Sequence, residues 1–193
     1  MMNVKLKIIC WNWLITSLLE LFELMLLKIS RLFYRTSTNF IDDLIVNGKV
    51  TVRLLVRRNN SISIHHPGDE FKFSGGIIYV QGVYDDYLRL IDLEAGSIRE
   101  DACIISDNIA IFLYKGEKIL LVEVSGRKVV PLVKLGEKIS SGSKLAMIFT
   151  GKREVRYYRS DMSGIVFYYS QIDNKPEKYL FALSPHVEVI HIE

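Results

Sequence analysis

Apolar residues change their spacing along this chain. From Ile8 to Leu27 they are nearly continuous and Leu-rich, without Gly or Pro; Lys5 and Lys7 precede the run, and Lys28, Arg31 and Arg35 follow it. Asn12, Thr16, Glu20 and Glu23 recur at helical spacing on one side, continued by Lys28 and Arg31, so the run predicts an amphipathic N-terminal α-helix with a wide apolar face. A bilayer span takes about 20 apolar residues, a length this run meets. Each central carboxylate costs roughly 2 to 3 kcal/mol against roughly 0.3 to 0.6 repaid per large apolar residue, so the insertion balance is close to zero. Three placements follow: a helix packed on its own domain or a partner (or an upstream extension from an early start codon), a membrane anchor, and a helix lying in the bilayer interface. Two glutamates after a short apolar core, with no small-residue cleavage site, argue against a cleaved signal peptide, and Met25 offers an internal start.

After the polar linker Thr36–Asn39 the period shortens. Val50–Val56, Ser61–Ile64, Phe71–Phe73, Ile77–Val80, Tyr87–Leu93, Cys103–Ile105, Ile109–Tyr114 and Lys118–Val124 are rich in β-branched and aromatic residues. Turn formers such as Asn47-Gly48, Pro67-Gly68-Asp69, Gly75-Gly76 and Lys115-Gly116-Glu117 separate them, which predicts a mainly β body. No strand-helix-strand rhythm appears, so an open nucleotide-binding sheet is disfavoured. Gly116-Glu117-Lys118-Ile119 recurs as Gly136-Glu137-Lys138-Ile139, which reads as one turn chemistry used twice.

Composition narrows the picture modestly. At 193 residues the chain can bury a core without disulfides, and Cys10 and Cys103 sit in apolar runs suited to buried free thiols. A formal net charge of +3 is too mild to announce a nucleic-acid binder. Local clusters have to carry the chemistry.

The densest pattern runs from Leu132 to Val166. Gly136 and Gly142 bound a turn, Ile139, Leu145, Met147 and Phe149 are expected to alternate into a core, Lys152 sits on a tight turn, and Ser163-Gly164 forms a return corner. Val133, Gly136, Ile139, Gly142, Leu145 and Ala146, followed by Lys152 and by Ser163-Gly164-Ile165-Val166, resemble the biotinyl/lipoyl family. The resemblance implies a flattened β-barrel or sandwich presenting a lysine on an exposed hairpin. From Phe40 to Glu193 the chain also resembles an uncharacterised archaeal family of unknown function whose C-terminal region is biotinyl/lipoyl-like. Modified members carry Met-Lys-Met or Asp-Lys-Ala at the tip. Here it is Gly151-Lys152-Arg153, and the spacing to the Ser-Gly corner is one residue longer. Both departures weigh against biotin or lipoate on Lys152, so no cofactor is expected and covalent attachment there is the alternative.

Lys152, Arg153, Arg156, Tyr158 and Arg159 form the compact basic and aromatic cluster and are the expected contact residues for a protein partner, or for nucleic acid or another anionic ligand. Strand alternation divides these charges between two faces. His65-His66-Pro67-Gly68-Asp69-Glu70 lacks zinc-ligand spacing, Ser141 to Lys144 and Ser106-Asp107-Asn108 lack the order and companion motif of penicillin-recognising enzymes, and Asp85-Asp86 reads as a solvated turn. No metal or catalytic residue is expected. The sequence thus predicts a helix and linker over 1–39, a β-rich domain over 40–105, and a biotinyl/lipoyl-like β domain over 106–193. The expected function is a non-enzymatic binding or carrier-like module, cytoplasmic or membrane-associated. The alternatives are a membrane-tethered adaptor held through residues 8–27 and a covalent carrier subunit acting through Lys152.

Overall fold

Alternating β-branched and aromatic residues produce strands along nearly the whole of the described chain. The computed structural model describes residues 30–192, apart from 37–40, 60, 83–86 and 153. The helix expected over residues 8–27 and Cys10 lie outside these residues. The strands begin with β1 (Arg31–Arg35), β2 (Ile45–Val46), β3 (Lys49–Val50), β4 (Leu54–Arg58), β5 (Ser61–His65) and β6 (Ile77–Gly82). They continue with β7 (Ile91–Asp92), β8 (Ser97–Ile98), β9 (Ala102–Ser106), β10 (Ile109–Leu113), β11 (Leu120–Gly126) and β12 (Lys128–Pro131). The last are β13 (Lys138–Ile139), β14 (Lys144–Phe149), β15 (Val155–Arg159), β16 (Gly164–Asn174), β17 (Glu177–Ser184) and β18 (Glu188–His191). Single helical turns occupy Ile41–Leu44 and Tyr87–Leu90.

Three expectations about element type are corrected. Arg31, read with Lys28 as the polar continuation of a helix, opens a strand instead: β1 pairs with β6 on one side and β9 on the other, burying Leu32 and Phe33 completely on opposite faces. Tyr87 to Leu90 forms a helical turn where a strand was expected, and Phe71–Phe73 stays irregular, with Phe71 buried beside Leu54 and Val56.

The sheets stack in layers. The largest has seven strands, ordered β18-β10-β9-β1-β6-β4-β5, and is curled. Its concave face gathers Phe33, Leu55, Tyr79, Cys103, Ala110 and Phe112. On its convex face Leu32, Ile104, Ile111 and Leu113 meet Phe167, Tyr168 and Ala182 of a four-stranded sheet ordered β11-β17-β16-β13. The other face of that second sheet sends Val122, Val124, Val166 and Phe181 against Val129, Leu145 and Ala146 of a three-stranded sheet, β12-β14-β15. Residues from every layer are fully buried, so hydrophobic burial acts across all of them.

Parity along β14 differs from the simple alternation expected. A register shift between Lys144 and Ala146 breaks the period, so Ala146 and Ile148 follow Leu145 into the core while Met147 and Phe149 turn outward. One extra residue in one strand exchanges faces for everything after it.

Candidate functional site

The hairpin of β14 and β15 carries the expected contact residues. Its tip is closed by Thr150 N–H donating to Glu154 O at 2.9 Å, and Lys152 is exposed there. Arg153 lies outside the described residues. Behind the tip Arg156 pairs with Glu154 at 2.9 Å, both well exposed, so water screens the pair. Tyr158 is half-buried against the inner core, and Arg159 donates from Nη1 to the Gly142 carbonyl at 2.7 Å. The cross-strand register sets Tyr158 opposite Ala146 and Tyr157 opposite Met147, which separates Arg156 and Arg159 onto opposite faces.

The corners below the hairpin are tied together. Gly136 and Gly142 adopt φ of +78° and +85°, a left-handed backbone that disfavours any side chain. Ser141 N–H donates to Ser163 Oγ at 3.2 Å, joining the Gly142 corner to the Ser-Gly return. Gly164 is buried close to the Ser184 backbone, where an added Cβ would lie 3.2 Å from the Ser184 carbonyl oxygen. The repeated tetrapeptide builds the same device twice. Gly116 exchanges backbone hydrogen bonds with Ile98, its N–H reaching Ile98 O and Ile98 N–H reaching Glu117 O, while Gly136 and Glu137 bracket Val166 in the same way. The side chains differ: Glu137 Oε2 accepts the Lys134 N–H at 2.8 Å, whereas Glu117 Oε2 is buried without a hydrogen-bond partner. Burial pushes the Glu117 carboxyl above its ordinary range, against the opposing pull of a backbone hydrogen bond from Tyr114.

A second polar cluster escaped the sequence reading. Arg57 on β4 donates to Tyr114 Oη and to Glu188 Oε1, each at 2.7 Å, and Tyr114 donates to Glu188 Oε2. The guanidinium lies 4.2 Å from the centre of the Phe112 ring. Burial opposes the Glu188 charge, but the Arg57 and Tyr114 hydrogen bonds outweigh it and hold that carboxyl below its usual range. Tyr114 is pushed up, by burial first and then by Glu188. An open cleft of about 520 Å³ adjoins the cluster, lined by Arg57, Arg58, Gly75 and Tyr114. It shares Gly76 and Ile77 with a neighbouring cleft of about 500 Å³ that holds Arg35, Arg99, Asp101 and Lys115. Arg35 is paired with Asp101 at 2.5 Å, and the donors of Arg57 are engaged within the protein. The arrangement therefore braces the curled sheet. No local signal in the sequence could have joined residues so far apart.

His65 and His66 go to separate partners. His65 packs edge-on to Phe71 with centroids 4.6 Å apart, and burial lowers its pKa, while His66 Nδ1 accepts from Arg53 Nε at 3.3 Å. Cys103 is buried, and that burial raises its thiol pKa, which suits a core side chain. Among the described residues no helix is long and apolar enough to cross a membrane.

Residues 41–186 match the model of a family described as an uncharacterized protein conserved in archaea, DUF2118, and the chain belongs to that family. Strands β1 and β18, which lie outside the matched residues, complete the seven-stranded sheet. The chain is also similar to the uncharacterized protein MJ0859 of Methanocaldococcus jannaschii, at 26% identity over 132 residues, covering 63% of this chain and 74% of that relative.

Proposed function

We propose that this chain is a non-enzymatic binding or carrier-like module built on a biotinyl/lipoyl-like barrel within residues 106–193, which meets a protein partner through the Lys152 hairpin. The observation that carries the reading is the hairpin itself. Lys152 stands exposed at the tip of β14 and β15, above a core enclosed between two facing sheets and cornered by Gly136, Gly142 and Gly164. A rigid scaffold presenting a short exposed turn offers a contact surface without the converging acid, base or nucleophile that chemistry needs.

An attachment lysine must be exposed, and Lys152 meets that requirement. Its flanking residues Gly151 and Arg153 depart from the tips that modifying ligases read, so the reading takes the amine as unmodified. A photo-cross-linking residue at position 152, with position 172 as control, tests the contact. The expected result is one discrete adduct from position 152, suppressed by excess wild-type chain and not by excess Lys152→Glu. Equal adducts from both positions would overturn it. Intact mass of the protein from its source tests the carrier alternative: a biotinyl or lipoyl adduct on Lys152 would replace the unmodified reading.

A further inference from the structure

Among the described residues, the three-stranded sheet buries one face and leaves the other partly open to solvent. Its register sets Val130, Met147, Phe149, Val155 and Tyr157 on the outer face, and Val155 and Tyr157 are each 48% exposed. Contiguous apolar surface of this kind on a sheet marks an interaction site more often than scattered exposed side chains do. The same alternation brings Lys128, Lys144 and Arg159 to the border of this apolar centre, with Lys144 Nζ 4.1 Å from the centre of the Tyr157 ring. No carboxylate occupies the described strand positions on that face. In addition, β15 is the outermost strand of its sheet among the described residues. In an antiparallel strand, alternate N–H and C=O groups point away from the neighbour, so Val155–Arg159 offers a hydrogen-bonding edge.

We infer that this edge and face bind an extended acidic peptide carrying apolar residues at alternate positions, added as a further strand beside β15. The inference rests on the binding-module reading above and names the chemistry of its partner. Strand addition draws affinity from the main chain and specificity from alternate side chains. Here the apolar centre would take one set of side chains, and the lysine and arginine border would select carboxylates over cations. An anionic membrane could meet the same charges and apolar groups but has no use for an unpaired strand edge. A second copy of the chain is disfavoured, because pairing β15 with itself brings Lys144, Arg156 and Arg159 of both copies together.

The test is an amide NMR titration of the full chain with three probes: a synthetic peptide alternating valine and glutamate, its valine-lysine counterpart, and phosphatidylglycerol vesicles. The valine-glutamate peptide alone should shift the amides of Val155–Arg159 and protect them from exchange. Lys144→Glu with Arg159→Glu should weaken its binding by about tenfold or more, the scale on which charge reversal acts at interfaces, with the core amides of Val166 and Phe181 unmoved. Equal response to the valine-lysine peptide, response to vesicles alone, or no shift along β15 would each overturn the inference. Loss of the position-152 adduct would sink the binding-module reading instead. A retained adduct with a silent β15 would sink only the peptide assignment.

Discussion

Arg57 and Glu188 lie 131 residues apart in the chain and 2.7 Å apart in the fold. Their strands, β4 and β18, have β10, β9, β1 and β6 between them. At roughly 4.8 Å per strand a flat sheet would separate them by about 24 Å. The ion pair is therefore possible only because the sheet curls, and it spans the mouth of the curl with Tyr114 as the third member. Arg57→Ala removes the donor to Glu188 Oε1 and to Tyr114 Oη, leaving Glu188 only its bond from Tyr114, and should cost about 2 kcal/mol, less than a wholly buried pair because Glu188 is partly open to water. Urea unfolding of Arg57→Ala, Glu188→Gln and the double variant checks this, the double costing clearly less than the sum of the singles.

Acid should act on the protein in two opposing ways. Glu188 and Asp101 are held below their ordinary pKa values: burial opposes each charge, and hydrogen bonds from Arg57 and Tyr114 to the first, and from Lys115 N–H and Arg35 to the second, prevail. Their contribution is complete above the unfolded carboxylate pKa and is lost as pH falls through the lower folded values. Glu117 runs the other way. Burial raises its pKa, so its charge destabilises the fold near neutrality and ceases to do so once it is protonated. Glu117→Gln should therefore raise the melting temperature at pH 7 and lose that advantage in acid, whereas Glu188→Gln should lower it at pH 7 and flatten the acid decline.

The shifted register in β14 makes a contrast that substitution can read. Leu145→Ala empties a site with no solvent exposure and should cost about 3 kcal/mol. Met147→Ala, on the outer face, should cost about 1 kcal/mol or less. Simple alternation predicts similar losses for the two, so equal denaturant midpoints would refute the assigned faces.

The two glycine corners should respond unequally to alanine. Gly142 has φ of +85° and open space around it, so Gly142→Ala carries backbone strain alone, about 1 kcal/mol. Gly136 has φ of +78°, and an added Cβ would lie 2.5 Å from Ile109 Cδ1, so that side chain must also move. Thermal melts should rank Gly136→Ala below Gly142→Ala, with both below wild type.

Much of the fold was legible where pattern is local. The runs at β4, β5, β6, β9, β10 and β11 announce themselves by β-branched residues between turn formers, and the positive-φ glycines of both Gly-Glu-Lys-Ile turns stand where the sequence marks them. The hairpin tip was legible for the same reason. What failed has physical causes. Arg31 to Arg35 directly follows a Leu-rich run, and five residues are too few to reveal a change of period. Tyr87 to Leu90 reads as one run with Ile91, although Leu88, Arg89 and Leu90 are good helix formers and only Tyr87 and Ile91 favour a strand. The register shift in β14 turns on a single residue, and the Arg57, Tyr114 and Glu188 cluster depends on curvature, which no stretch of sequence encodes by itself.

The position of β1 sets a limit on trimming. It is the earliest described strand, yet its neighbours β6 and β9 come 40 or more residues later by any reasonable count along the chain, and each bonds to a different edge of it. A shortened version opening at Thr36 would not shave a border. It would split the largest sheet into halves of three strands each and strip Leu32 from one layer and Phe33 from the other. A version opening at Met25 keeps that keystone, so proteolytic mapping that leaves residues 30–36 intact should yield a folded fragment, and cleavage just beyond them an insoluble one.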